Sequence, residues 1–147
     1  MLIVLALCGC VKFLRIAALV LTQCQPAMAE LRITGGGYST HLISDNVTNE
    51  SHDHWAVQYR NVEIGKFNNS FDDEVWYVAY EWHRDWGDLQ GFTKAGVMYG
   101  YRDLYSDTGD RGYLPMLAPG VRYTRWALQP EITLVGGALS LGLSAVF

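Results

Sequence analysis

Cysteine is the first scarcity: the 147-residue chain has 3, at Cys8, Cys10 and Cys24, and none beyond. From residue 30 onward, a disulfide, a thiolate metal site and a cysteine nucleophile are therefore all excluded. Lysine is equally rare, with Lys12, Lys66 and Lys94 making up the whole set, and the formal charge is −4. That balance argues against the basic surface that grips phosphate backbones, so no nucleic-acid partner is expected. After residue 30 no apolar run approaches the roughly 18 residues that a membrane helix needs. What is abundant instead is glycine (15), tyrosine (9) and tryptophan (5), a mixture foreign to helical bundles.

Residues 1–29 read as a secretory signal peptide. Val11-Lys12-Phe13-Leu14-Arg15 is a basic segment, Ile16 to Leu21 an apolar core, and Ala27-Met28-Ala29 a small-residue cleavage site before Glu30. The basic segment lies ten residues inside the chain, which raises a second translation start, at position 11. Leu7-Cys8-Gly9-Cys10 is a competing lipoprotein-type signal, disfavoured because no positive charge precedes it. Residues 30–147 form the expected mature domain, with 9 Lys and Arg against 15 Asp and Glu.

Hydrophobicity in that domain repeats every two residues. Leu139, Leu141, Leu143, Ala145 and Phe147 alternate with small or polar residues, and Trp76, Val78, Tyr80 and Trp82 oppose Tyr77, Ala79 and Glu81. Trp55, Val57 and Tyr59 oppose His54, Gln58 and Arg60 in the same way. Such alternation marks half-apolar strands. Turn signals divide the chain into eight, near 31–40, 52–60, 62–69, 74–83, 89–101, 114–125, 127–135 and 138–147. A soluble sandwich would bury the apolar face. Aromatics near strand ends (Trp55, Trp76, Trp82, Trp86, Tyr101, Tyr113 and Trp126) favour the inverted arrangement, with girdles at two membrane interfaces.

The expected fold is therefore all-β: an eight-stranded antiparallel transmembrane β-barrel in the outer membrane of a Gram-negative bacterium. It must close, because backbone groups facing lipid have no water partner. Eight strands leave a lumen that side chains fill, which excludes a general porin. Lys94, Arg122, Glu131, Glu81, Gln129 and Thr133 are expected to form a hydrogen-bonded plug there. With both ends on the periplasmic side, the long breaks fall outside, as barrel asymmetry requires. The terminal Gly142-x-x-Ala145-x-Phe147 resembles the C-terminal signal read by the barrel-assembly machinery, making that machinery an expected partner through Phe147. The barrel is expected to be a monomer.

Three polar residues fall on the outer rim: His41 ending the first strand, and Asn69 with Ser70 where the third enters its loop. A histidine can take a serine hydroxyl proton as acyl transfer begins; turn composition explains Asn68-Asn69-Ser70 equally well. Parity aims His41 at lipid unless a bulge in Gly35-Gly36-Gly37 resets the register. His52-Asp53-His54 could contribute two ligands to a metal, but the spacing is common, and neither metal nor cofactor is expected.

Thr48-Asn49-Glu50, Gly65-Lys66-Phe67-Asn68-Asn69-Ser70-Phe71, Tyr113-Leu114-Pro115-Met116-Leu117-Ala118-Pro119 and Gln129-Pro130-Glu131-Ile132-Thr133-Leu134 resemble the lipid A palmitoyltransferases (PagP-like proteins), a family of eight-stranded outer-membrane barrels. The likeness runs in short pieces over most of residues 38–147. It implies transfer of an acyl chain from phospholipid to lipid A, with His41, Asn69 and Ser70 at the family's catalytic positions. Asn69 stands where the family has aspartate, and Asp72 or Asp73 is available as a replacement carboxylate. The resemblance also implies that Pro115, Pro119 and Pro130 open a lateral gap for a lipid tail, since proline cannot donate to a strand ladder. Gly136 replaces a further family proline, and the family's helix before the first strand has no counterpart here.

Two readings follow. The first is a lipid-modifying enzyme that transfers or hydrolyses acyl groups, acting on phospholipid or lipopolysaccharide. The alternative is a non-enzymatic small barrel that modifies the cell surface, as an adhesin or receptor block, bacterial or phage-encoded.

Overall fold

A computed structural model describes residues 31–41, 51–69, 72–102 and 111–147. The expected leader, most of the first and third loops, and Ser70 lie outside the described residues. Eight strands follow one another: β1 Leu31–His41, β2 Ser51–Tyr59, β3 Val62–Asn68, β4 Glu74–Trp86, β5 Leu89–Arg102, β6 Arg111–Tyr123, β7 Leu128–Val135 and β8 Ala138–Val146. Each pairs antiparallel with the next, and β8 pairs with β1, closing the barrel. At the seam of chain ends, Phe147 N–H donates to Leu31 O at 2.8 Å and Leu31 N–H to Phe147 O at 3.3 Å. That rim is called the terminal rim below, and the opposite one the loop rim.

The alternation read from the sequence is inverted relative to a soluble protein. Ile33, Val57, Ile64, Val78, Val97, Val121, Ile132 and Leu143 face outward and exposed, while Arg122, Glu63, Glu81 and Lys94 are buried inside. An apolar exterior around a charged interior is stable only where lipid is the solvent, and closure then pairs each strand with both neighbours, most briefly β6 with β7. Tyr113, Trp76 and Trp55 stand exposed toward the loop rim, and Trp86, Trp126 and Tyr59 toward the terminal rim. These are the two aromatic girdles.

Four sequence expectations need correction. The fourth strand does not stop at 83: pairing with β5 continues to Trp86↔Leu89, so His83-Arg84-Asp85-Trp86 is strand rather than turn. The sixth begins at Arg111, paired with Arg102, and not at 114. Tyr101 is no girdle residue, because a register shift between Tyr99 and Tyr101 packs it against the interior core. Gly100 permits that shift at φ 131°, where a Cβ would sit 2.3 Å from the Glu74 carbonyl oxygen. Within the expected plug, Gln129 is in phase with inward Glu131 but donates to the Thr124 carbonyl at 3.5 Å rather than to another plug residue.

Candidate functional site

The lumen has two halves of opposite chemistry. Toward the terminal rim, Arg122 joins three strands: Nε donates to Glu131 on β7 at 2.8 Å, Nη2 to Glu81 on β4 at 3.2 Å, and Nη1 to Gln90 on β5 at 2.7 Å. Lys94 donates to both oxygens of Glu63 at 2.8 Å, and Tyr77 Oη adds a bond to Glu63 at 2.7 Å. Gln58 reaches Glu81 at 3.4 Å. Parity alone identifies these inward positions; Gln58 reads on the polar face of its strand, while Glu63 and Gln90 are not included in the expected plug. The paired charges close the lumen as a plug.

Toward the loop rim the lining changes to Ala56, Val75, Tyr77, Ala79, Met98, Met116 and Ala118, with Phe67, Tyr101, Leu114 and Val135 packed against them. An apolar interior this close to the outer loops is suited to hydrocarbon rather than to water.

The wall beside this half is incomplete. β6 and β7 share only the pairs Gly120↔Thr133, Val121↔Ile132 and Arg122↔Glu131. One further pair in either direction would set Pro119 opposite Leu134 or Tyr123 opposite Pro130, so the ladder ends at a proline on both sides. Neither proline has an N–H to give. Beyond Pro119, β6 runs on to Arg111 paired with β5 alone, while β7 ends at Val135. Pro115 lies in that unpaired stretch, and Leu117 beside it is 67% exposed.

At the rim, the glycine run hosts the bulge on which His41 depends. Register with β8 shifts by one residue between Gly36 and Tyr38. Gly37 sits there at φ 151°, where a Cβ would overlap the His52 carbonyl oxygen at 1.2 Å. Arg32 and Thr34 are buried before the bulge, and Ser39 after it. Position 41, paired with Ala138, is thus in phase with inward Ser39 rather than with outward Leu31; its side chain lies outside the described residues.

Asn69 is buried and closes a tight loop. Its Oδ1 accepts from Asp73 N–H at 2.9 Å, its own N–H donates to Asp73 O at 2.8 Å, and Asp72 N–H donates to its carbonyl at 3.0 Å. Asp73 in turn pairs with Arg102 at 3.0 Å. The asparagine oxygen is therefore engaged in shaping the loop that carries Ser70. The two imidazoles of the H-x-H segment bond to hydroxyls: His52 Nε2 to Ser39 Oγ at 2.5 Å and His54 Nε2 to Tyr77 Oη at 2.8 Å. No group of three metal-ligating side chains occurs among the described residues.

These features define an outer-membrane-type, closed eight-stranded barrel with a plugged lumen and an interrupted wall. The crystal structure of the N-terminal β-barrel domain of Pseudomonas aeruginosa OprF has a similar fold, with a TM-score of 0.50 and 13% identity over 84% of this chain and 98% of that one. Identity at that level speaks for the fold alone. No family model matches the chain, and no curated protein does.

Proposed function

We propose that this protein is a lipid-modifying enzyme of a Gram-negative outer membrane, transferring or hydrolysing an acyl group on phospholipid or lipid A. The observation that carries the reading is the β6–β7 ladder of three pairs, bounded by Pro119 and Pro130, opening beside an apolar half-lumen. A hydrocarbon tail entering there exchanges one apolar environment for another, while its ester stays at the polar rim. The bulge at Gly37 supports including His41 in that rim, as general base. Ser70 serves as nucleophile or polar anchor, and Asn69 shapes the loop between them and orients the ester. The resemblance to lipid A palmitoyltransferases gives the reaction class.

The test is mass spectrometry of phospholipids and lipid A from cells expressing the protein, beside Ser70→Ala and His41→Ala variants with confirmed membrane insertion. A gained acyl group or new lysophospholipid, reduced in the variants, is expected. Unchanged lipids in every strain would sink the enzyme reading and return the loops to the role of a binding surface.

A further inference from the structure

Ser39 is not singled out by the sequence, His52 reads there only as one imidazole of a common H-x-H spacing, and neither belongs to the rim set of His41, Asn69 and Ser70. Only the bulge at Gly37 brings them together, by turning Ser39 inward toward β2. We infer that they are a nucleophile and general base facing the apolar half-lumen, and that Ser39 carries the acyl group as a covalent ester during the reaction. This inference rests on the lipid-modifying reading above for its substrate, an acyl ester with a long hydrocarbon tail.

Three observations converge on the pair. Ser39 is 2% exposed, and its hydroxyl meets His52 Nε2 at hydrogen-bond distance. To act as the base, His52 takes the serine proton at Nε2 and carries its own on Nδ1. Nδ1 is buried without a hydrogen-bond partner among the described residues, so the arrangement is a dyad rather than a triad. Finally, cross-strand register runs from Ser39 to Ser140 on β8, and from Ser140 to Thr133 on β7. Thr133 is the last β7 residue still paired with β6 before the gap. At a strand spacing of about 4.8 Å, Ser39 lies about 10 Å along the wall from that gap. An ester whose tail enters between β6 and β7 meets a row of hydroxyls ending at the dyad.

In the first step Ser39 Oγ bonds to the ester carbonyl carbon and its proton passes to His52 Nε2. The C–O bond to the lipid alcohol then breaks, and the alcohol leaves with the proton from Nε2. In the second step water or an acceptor hydroxyl gives its proton to Nε2 and attacks the acyl-Ser39 ester. Ser39 Oγ leaves and regains the proton, releasing free fatty acid or the acylated acceptor. His52 then takes the general-base role in place of His41, and His41 and Ser70 are polar anchors at the rim.

The test is to treat the full-length protein, folded in detergent micelles, with a long-chain alkyl fluorophosphonate, map the adduct by peptide mass spectrometry, and assay lipids of the expressing cells in parallel. The expected result is one adduct on Ser39, formed about 100-fold more slowly in His52→Gln and at the same rate in Thr40→Ala. Since mapping is done on the wild-type chain, a folding defect in Ser39→Ala cannot mimic it. An adduct on Ser70 instead, or no adduct, in cells whose lipids are modified overturns the dyad and leaves lipid modification standing. No adduct and unchanged lipids overturn both. An adduct on Ser39 with unchanged lipids supports the dyad and rejects the lipids of that host as substrate.

Discussion

The two halves of the lumen are built from the same strands but hold together for different reasons. Near the terminal rim, six charged side chains lie inward: Arg32, Lys94 and Arg122 with Glu63, Glu81 and Glu131. Charges of both signs occur in equal number: pairing of Lys94 and Arg122 with the three glutamates offsets the cost of burying them, while Arg32 Nε and Nη1 are buried with no hydrogen-bond partner among the described residues. Near the loop rim the lining is apolar and small, the β6–β7 wall is interrupted, and the polar groups present are hydroxyls and imidazoles. One half plugs the barrel with paired charges, and the other is a packed apolar layer beside the short β6–β7 ladder.

Substitutions can break that contrast. Arg122→Ala strands Glu81 and Glu131 in a dry interior and should cost about 3–5 kcal/mol, read as a lowered urea midpoint for barrels refolded in vesicles. Combining Arg122→Met with Glu81→Gln should recover part of the loss, because one charge of each sign is removed and Arg32 and Lys94 still balance Glu63 and Glu131. Lys94→Met should cost about 3 kcal/mol by the same measurement, at the lower end because Tyr77 still donates to Glu63. On the lipid face, Val78→Arg should cost about 2–4 kcal/mol, since an arginine near the bilayer midplane cannot reach water cheaply. The smallest effect has the opposite sign: Pro119→Val with Pro130→Val allows the β6–β7 ladder to lengthen and should stabilise the barrel by about 1 kcal/mol per bond regained. The same double change should reduce any lipid product, which sharpens the comparison because stability rises as activity falls. A product yield that stays constant would remove the seam from the mechanism.

Much of the architecture was legible beforehand because a barrel in lipid obeys a local code. Period-two alternation marks each strand, turn signals separate the strands, and the long breaks fall on one rim. The errors occurred where neighbouring strands override local signals. His83 to Trp86 contains charged residues that read as turn, but β5 offers a partner for each of them. Tyr101 reads as an interfacial aromatic until the shift at Gly100 turns it inward. The site was less legible than the fold. Ser39 has no parity signal before the bulge is known, whereas Pro119 and Pro130 were visible as ladder breakers and only the register shows that three pairs lie between them.

The sequence by itself determined the strand count, the inversion of polarity and the closed topology, since each follows from residue type at alternating positions and from the insolubility of open backbone in lipid. Tertiary structure alone decided which charges meet. Arg122 finds Glu81 41 residues away, and Ser39 finds His52 across a bulge, because cross-barrel distances depend on the register and tilt accumulated around all eight strands. A one-residue shift exchanges inside for outside, so these contacts become fixed only when the barrel closes.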